Sequence, residues 1–177
     1  MLLCAAVVGV FLWFSLERWL FVIIVAGLLA LSLGLVVVIK LWRAKVFLQI
    51  GLPQIDRMSG LEFEDYLAKL FAARGYKVQQ IKNQDDYGVD LVVAKDGQKI
   101  GIQAKRYGAR KKVDVEGVRA VIAGLPFHQA ERGMVVTNSF YTDHAWQTAK
   151  MNQVELWDRN RLKKEIRRIT NFDSVKN

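Results

Sequence analysis

The chain has 177 residues and a formal net charge of +9 at pH 7, a length that suits one globular domain of ordinary size plus an appendage. Its single cysteine, Cys4, lies in an apolar run, which excludes an intrachain disulfide framework and a cysteine-based zinc cage. Glu17 and Arg18 are the only charged residues before Lys40 and cancel, so the whole basic excess belongs to the part from Lys40 onward, a candidate polyanion binder with solubility or anionic lipid as the competing uses of the charge.

The N-terminal 39 residues read as a membrane anchor. Trp19 to Ile39 carries no charge, and as a helix it rises about 30 Å, the thickness of a bilayer's hydrocarbon core. Leu2 to Leu16 is also uncharged but reaches only about 22 Å as a helix. The expectation is a transmembrane helical hairpin, 2–16 and 19–39, turning at Glu17 and Arg18. Trp13, Phe14, Trp19 and Phe21 flank that turn as an interfacial aromatic belt would, and Trp42 suits the opposite interface. Lys40, Arg43 and Lys45 follow the long span directly. The positive-inside bias therefore predicts a multi-pass protein of the cell (inner) membrane with its C-terminal domain facing the cytoplasm. A cleaved signal peptide lacks its basic leading region and its small-residue cleavage site here.

Residues 40–58 read as a juxtamembrane connector with a break at Gly51-Leu52-Pro53 and no periodicity. A globular domain is expected over 59–169, and a frayed tail over 170–177. Ser59 and Glu62 have capping-box spacing and open a helix to about Arg74, with Gly75 as its stop. Tyr76–Ile81 follows as a strand, then Val89–Ala94 and Lys99–Lys105 as a hairpin around Asp96-Gly97. A helix over Val115–Ala123, a buried strand over Gly133–Thr137, a helix over Thr142–Met151 and a strand over Gln153–Trp157 come next. Asp158 then caps a last helix carrying Leu162 and Ile166. This order predicts an α/β sandwich around a mixed sheet.

The hairpin carries the chemistry. A two-residue Asp-Gly turn pairs Lys95 with Gln98, and counting outward sets Asp90 opposite Gln103. Gln103 and Lys105 share a strand face, and Asp90 joins them with a Cβ separation of about 5 Å from Gln103. On the first helix Glu64 lies on the stripe of Leu67 and Phe71, whereas Glu62, Asp65 and Lys69 form a polar face. An inward carboxylate needs a cation or an amine such as Lys105 to compensate it. Asp90 with a nearby amide or carboxylate oxygen can hold Mg²⁺, with Mn²⁺ as an alternative, and Lys105 can orient or deprotonate a water and offset phosphate charge. The chemistry so assembled is phosphodiester hydrolysis, weighed against a solvated hairpin whose Asp90 and Lys105 form a surface ion pair worth under about 1 kcal/mol. His128 and His144 have no second His or Cys at ligand spacing and read as surface or capping residues.

Phe63-Glu64, Gly75-Tyr76, Asp86-Tyr87-Gly88-Val89-Asp90, Gln103-Ala104-Lys105-Arg106-Tyr107 and Val136-Thr137 with Phe140 and Ala145 together resemble the Mrr-like restriction endonucleases, a branch of the PD-(D/E)xK nucleases, over roughly Ser59 to Ile166. The resemblance implies a restriction-endonuclease-like mixed central sheet flanked by helices. It also implies a Mg²⁺-dependent endonuclease of restriction or defence type acting on DNA. Asp90 and Gln103 match its metal-site positions, Lys105 its catalytic lysine, and Glu64 its helix carboxylate, expected as a third metal ligand. The wider superfamily usually has an acid where this chain has Gln103, and the Mrr-like branch commonly has Gln; the change removes one charge from the metal site.

Asp86 and Gly88 match the loop before the catalytic Asp, where Gly88 permits close backbone approach and Asp86 shapes the turn. Arg106, Tyr107, Arg110, Lys111 and Lys112 follow the motif and suit phosphate contacts beside the scissile bond. Thr137, Asn138 and Ser139 end the buried strand as substrate contacts or as a cap for the next helix. The expected partners are DNA, the membrane through the N-terminal helices and, in principle, further copies of the chain. Two rivals stand beside the nuclease: a non-enzymatic module that tethers DNA at the membrane, and a membrane scaffold that binds proteins or anionic lipid.

Overall fold

The computed structural model describes Trp19 and residues 21–39, 50–81, 87–108 and 111–174, the last five as backbone alone. The chain divides into two compact units, residues 1–45 and 46–177. In the first, helix α1 (Phe21–Ile39) is the one described helix long and apolar enough to cross a membrane, and its side chains are exposed along its whole length. The expected partner helix over 2–16, the turn at Glu17 and Arg18, and the basic group Lys40, Arg43 and Lys45 lie outside the described residues.

The second unit is a five-stranded sheet of order β1-β2-β3-β4-β5. Strands β1 (Lys77–Gln80), β2 (Leu91–Lys95) and β3 (Gln98–Lys105) pair antiparallel, and β4 (Arg132–Thr137) and β5 (Glu155–Trp157) extend the sheet in parallel. The mixed sheet expected from the order of elements is therefore present. Asp96 and Gly97 both take positive φ, 52° and 83°, the conformation a two-residue primed hairpin turn requires. Lys95 consequently pairs with Gln98, and the register runs on unbroken to Leu91 opposite Ile102, as counted from the sequence.

Helices cover both faces of the sheet. Helix α3 (Gly60–Ala73) starts at the expected capping box, in which Glu62 N donates to Ser59 Oγ at 3.2 Å and Ser59 N donates to Glu62 Oε2 at 2.7 Å. Its buried residues Phe63, Tyr66, Leu67, Leu70 and Phe71 recur at helical spacing. They pack with Leu162 and Ile166 of α6 (Arg159–Ser174) on Leu91, Val93, Ile100, Ile102 and Trp157, which defines the first face. On the second face α4 (Val115–Gly124) and α5 (Asp143–Met151) bring Val118, Val121, Ala145 and Ala149 against Val89, Val92, Val135 and Leu156. Each buried aliphatic or aromatic side chain contributes about 1.5–3 kcal/mol through its removal from water, so the two cores hold the sheet between them.

Three boundaries differ from the sequence expectation. Residues 51–58 are part of the domain: Leu52–Ile55 forms a short helix, α2, with Pro at its start, and Ile55 is fully buried in the first core. One turn is too short to show a periodicity, which is why the connector reading missed it. Helix α6 runs on to Ser174, past the fraying expected at Thr170, with neither Gly nor Pro after Arg159 to end it. The cap of α5 is Thr142, whose side chain accepts from Ala145 N at 3.2 Å, so Thr137, Asn138 and Ser139 do not cap that helix.

Candidate active site

Strands β2 and β3 part just beyond their last ladder pair, and Asp90 sits at that opening. Its N–H donates to Ile102 O at 2.9 Å and its carbonyl accepts from Ile81 N at 2.9 Å, so backbone bonds to both neighbours fix where its side chain begins. The carboxylate is buried and its Oδ2 accepts from Gln103 Nε2 and, at 2.6 Å, from Ala104 N. Asp90 and Gln103 thus meet as the register count requires.

Gly101, Gln103 and Lys105 alternate onto the second face. A Cβ added to Gly101 would lie 2.8 Å from Leu125 Cδ2 and 3.3 Å from Val89 Cγ2, and the stem of Lys105 runs beside Gly117 of α4. The loop before Asp90 leans on the same helix. Gly88 has φ +83°, and a Cβ there would come within 2.6 Å of Ala120 O, so only glycine allows this approach. The close contact expected at Gly88 is present; Asp86 lies outside the described residues.

Glu64 is placed differently from its three expected companions. It is half-buried at the edge of the apolar stripe of α3, and α3 packs on the first face, opposite to the one that carries Gln103 and Lys105. The sheet opening therefore joins Asp90, Gln103 and Lys105 on one side, with Glu64 on a helix of the other.

The stretch after Lys105 is braced from below. Thr137 Oγ1 donates to Lys105 O at 2.6 Å, Asn138 bonds both N and O of Tyr107 at 2.9 Å, and Ser139 Oγ donates to Lys111 O at 2.7 Å. All three are buried, so this polar run spends its groups on the loop rather than on an outside partner. Arg106 also turns inward, its Nη2 donating to Asp56 O at 2.8 Å. Lys111 and Lys112 are exposed, and Lys111 Nζ lies 4.7 Å from the centroid of the half-buried Tyr107 ring. Arg110 lies outside the described residues.

Asp56 and Arg159, which the sequence did not single out, complete this brace. Arg159 binds Asp56 through both guanidinium nitrogens at 2.7 and 2.8 Å and donates to Asn138 O at 2.8 Å. The Arg159 hydrogen bond, aided by Asn138, holds the Asp56 carboxyl below the usual carboxylate range against the opposing effect of burial. No local pattern announces an ion pair between the first and last helices of a domain.

The donor chemistry suits a hard divalent cation. Asp90 and Gln103 touch each other, each side chain carries oxygen, and Mg²⁺ takes few protein ligands because it keeps several waters. To hold a cation with Asp90, Gln103 must present Oε1 where Nε2 now faces the carboxylate. Among the described residues there is no group of three or more His, Cys, Asp or Glu that could bind a metal.

A family model described as a restriction endonuclease, Mrr_cat, matches residues 55–166. No curated protein sequence matches the chain. Among solved structures, the DNA modification-dependent restriction endonuclease AspBHI aligns with a TM-score of 0.50 at 15% identity, over 76% of this chain and 40% of that one. The MspJI restriction endonuclease, solved with a 27-mer oligonucleotide, aligns with a TM-score of 0.49 at 20% identity, over 65% and 29%. A repair endonuclease from Pyrococcus abyssi aligns with a TM-score of 0.44 at 21% identity, over 58% and 47%. The chain spans about half or less of the length of these proteins, and the likeness to AspBHI is one of fold.

Proposed function

The chain belongs to the Mrr_cat restriction endonuclease family, and from that footing we propose that it is a membrane-anchored, Mg²⁺-dependent endonuclease that hydrolyses DNA phosphodiester bonds. One observation carries the reading: Asp90 and Gln103 are in contact at the parting of two strands, with Lys105 two residues on along the same face. The Ala104 N–H and the backbone bonds of Asp90 hold its carboxylate in place. That is the preorganisation a site needs if it is to act on developing charge, and the Gln103 amide turns its oxygen inward to join it.

Asp90 and Gln103 hold the cation through oxygen, and Mn²⁺ meets the same donor preference. When bound, the cation polarises a phosphoryl oxygen and lowers the pKa of a coordinated water. Lys105 orients the attacking water and offers its Nζ protons to the phosphate oxygens as charge builds on them. Water oxygen bonds to phosphorus and gives up one proton to solvent, the bond from phosphorus to the leaving oxygen breaks, and that oxygen takes one proton from solvent, so the products are a phosphate monoester and an alcohol. Glu64, carried by α3 on the other face of the sheet, takes the part of an outer carboxylate. Lys111 and Lys112, with Arg110, contact the phosphates flanking the scissile bond, while Arg106 and Tyr107 shape the loop that carries them. The anchor is α1, preceded by a second span over 2–16, and the positive-inside bias sets the domain in the cytoplasm.

Full-length protein in detergent, incubated with supercoiled plasmid and Mg²⁺, is expected to nick it. Lys105→Ala and Asp90→Ala are expected to bind plasmid without nicking it, and nicking that survives both substitutions removes the mechanism. The small number of acids at the site favours one rival, a DNA tether without catalysis. Wild-type protein that binds plasmid steeply with salt and leaves it intact with Mg²⁺ and with Mn²⁺ would select the tether.

A further inference from the structure

Three parts of the chain remote in sequence meet beside the catalytic strand. Asp56 follows α2, Arg159 opens α6, and Asn138 follows β4. Asp56 Oδ1 accepts from Arg159 Nη1 at 2.7 Å and from Asn138 Nδ2 at 2.9 Å, and its Oδ2 accepts from Arg159 Nη2 at 2.8 Å. Asn138 is 1% exposed, and the same amide grips Tyr107 twice, with Oδ1 accepting from Tyr107 N and Nδ2 donating to Tyr107 O, each at 2.9 Å. Arg106 donates to the backbone carbonyl of Asp56 at 2.8 Å.

An amide has one end that donates and one that accepts. With a carboxylate on one side, Asn138 must turn Nδ2 towards it, which leaves Oδ1 for the Tyr107 N–H. The flipped amide would set Oδ1 against both the Asp56 carboxylate and the Tyr107 carbonyl, and an N–H against an N–H. The charge on Asp56 thus selects one orientation of Asn138, and that orientation fixes the backbone two residues after Lys105. Its carbonyl fixes the side chain of the residue between them.

We propose that Asp56 is a positioning residue for Lys105: through Asn138 and Arg106 it sets the course of the chain leaving β3 and hence the direction in which the lysine points. Asp56 touches no reacting group in this scheme, and the inference rests on the nuclease reading. A displacement of about 1 Å at a reacting group lowers a rate by about a hundredfold. The expected signature is therefore a slower chemical step with binding preserved.

The test uses the full chain in detergent and compares wild type with Asp56→Asn. Single-turnover plasmid nicking at saturating protein should fall about tenfold to a hundredfold, and DNA affinity should stay within about threefold. Hydrogen exchange in peptides covering residues 105–108 should quicken about tenfold. Nicking at the wild-type rate overturns the proposal, and so does a loss confined to affinity. Should Asp56→Asn fail to fold, Asn138→Ala keeps the Asp56–Arg159 pair and removes the grip on Tyr107, with the same two changes expected and the same results overturning it. Wild-type protein that does not nick DNA overturns the nuclease reading, and exchange at 105–108 then decides by itself whether the brace exists.

Discussion

The hairpin that carries Asp90 and Gln103 and the brace that carries Asp56 and Arg159 both bear on the stretch of chain around Lys105, yet they are built by opposite means. The hairpin is local: one Asp-Gly turn sets the register and every later pair follows. The brace is global, joining residues 103 positions apart by a direct ion pair and tying a buried amide 82 positions away to the same carboxylate. A site can thus have its reacting groups specified by short-range rules and its alignment specified by contacts that no short stretch of chain encodes. The two parts should fail differently, chemistry first in one and geometry or stability first in the other.

The largest contrast is expected at Lys105. Replacing it with alanine should lower the plasmid-nicking rate by about 10²- to 10⁴-fold, the range for losing a positioned proton donor or acceptor, while thermal unfolding followed by circular dichroism changes little. A comparable loss of stability in that variant would show that the lysine serves the fold and would blur the division between the two parts.

Gly88→Ala attacks the seam where the catalytic loop meets α4. The new Cβ would lie 2.6 Å from the backbone oxygen of Ala120 at a residue with φ +83°, so the loop or the helix must move. The combined strain and overpacking should cost about 2–4 kcal/mol in a urea titration, and nicking should fall along with the native population. An unchanged urea midpoint would mean that the loop re-forms without this contact.

What was legible in the sequence follows the same division. The capping box at Ser59, the stop at Gly75, the turn at Asp96-Gly97 and the contact of Asp90 with Gln103 are each set within a few residues or by simple counting, and the structure has them all. Glu64 marks the edge of that reach, because a helical stripe says which side of a helix faces a sheet but not which face of the sheet receives it. Helix α2 and the roles of Asp56 and Asn138 lay beyond it. One helical turn has no period to detect, and the polar run Thr137-Asn138-Ser139 looks the same whether it faces substrate, a helix or, as found, the loop after Lys105.

Arg159→Ala tests the brace as a source of stability. Both partners of the Asp56–Arg159 pair keep about a quarter of their side-chain surface exposed, so the cost should fall between that of a surface pair and that of a fully buried one, about 1–2 kcal/mol. A cycle with Asp56→Asn isolates the coupling, since either single change breaks the pair and the second then costs less. Additive losses in urea titrations would mean that the two residues act separately, and the brace would lose its central link.

The smallest effect is a pH dependence, and its sign is fixed by the direction of the Asp56 shift. The folded carboxyl is held below its ordinary value of 3.8 by the Arg159 hydrogen bond, so the native state favours the ionised form more than the unfolded chain does. The stabilisation is then present in full above the unfolded value and is lost as pH falls from there through the folded one. Glu62 and Asp114 are shifted the same way by backbone N–H groups at helix starts, and they add to the same acid limb. Asp56→Asn should remove part of that slope below about pH 4, leaving the rest to the two caps, and should leave the neutral-pH side of the curve parallel to wild type. Unfolding midpoints measured from pH 2 to 7 would show it. A slope identical to wild type would mean that the Arg159 contact contributes nothing to the preference for the charged form.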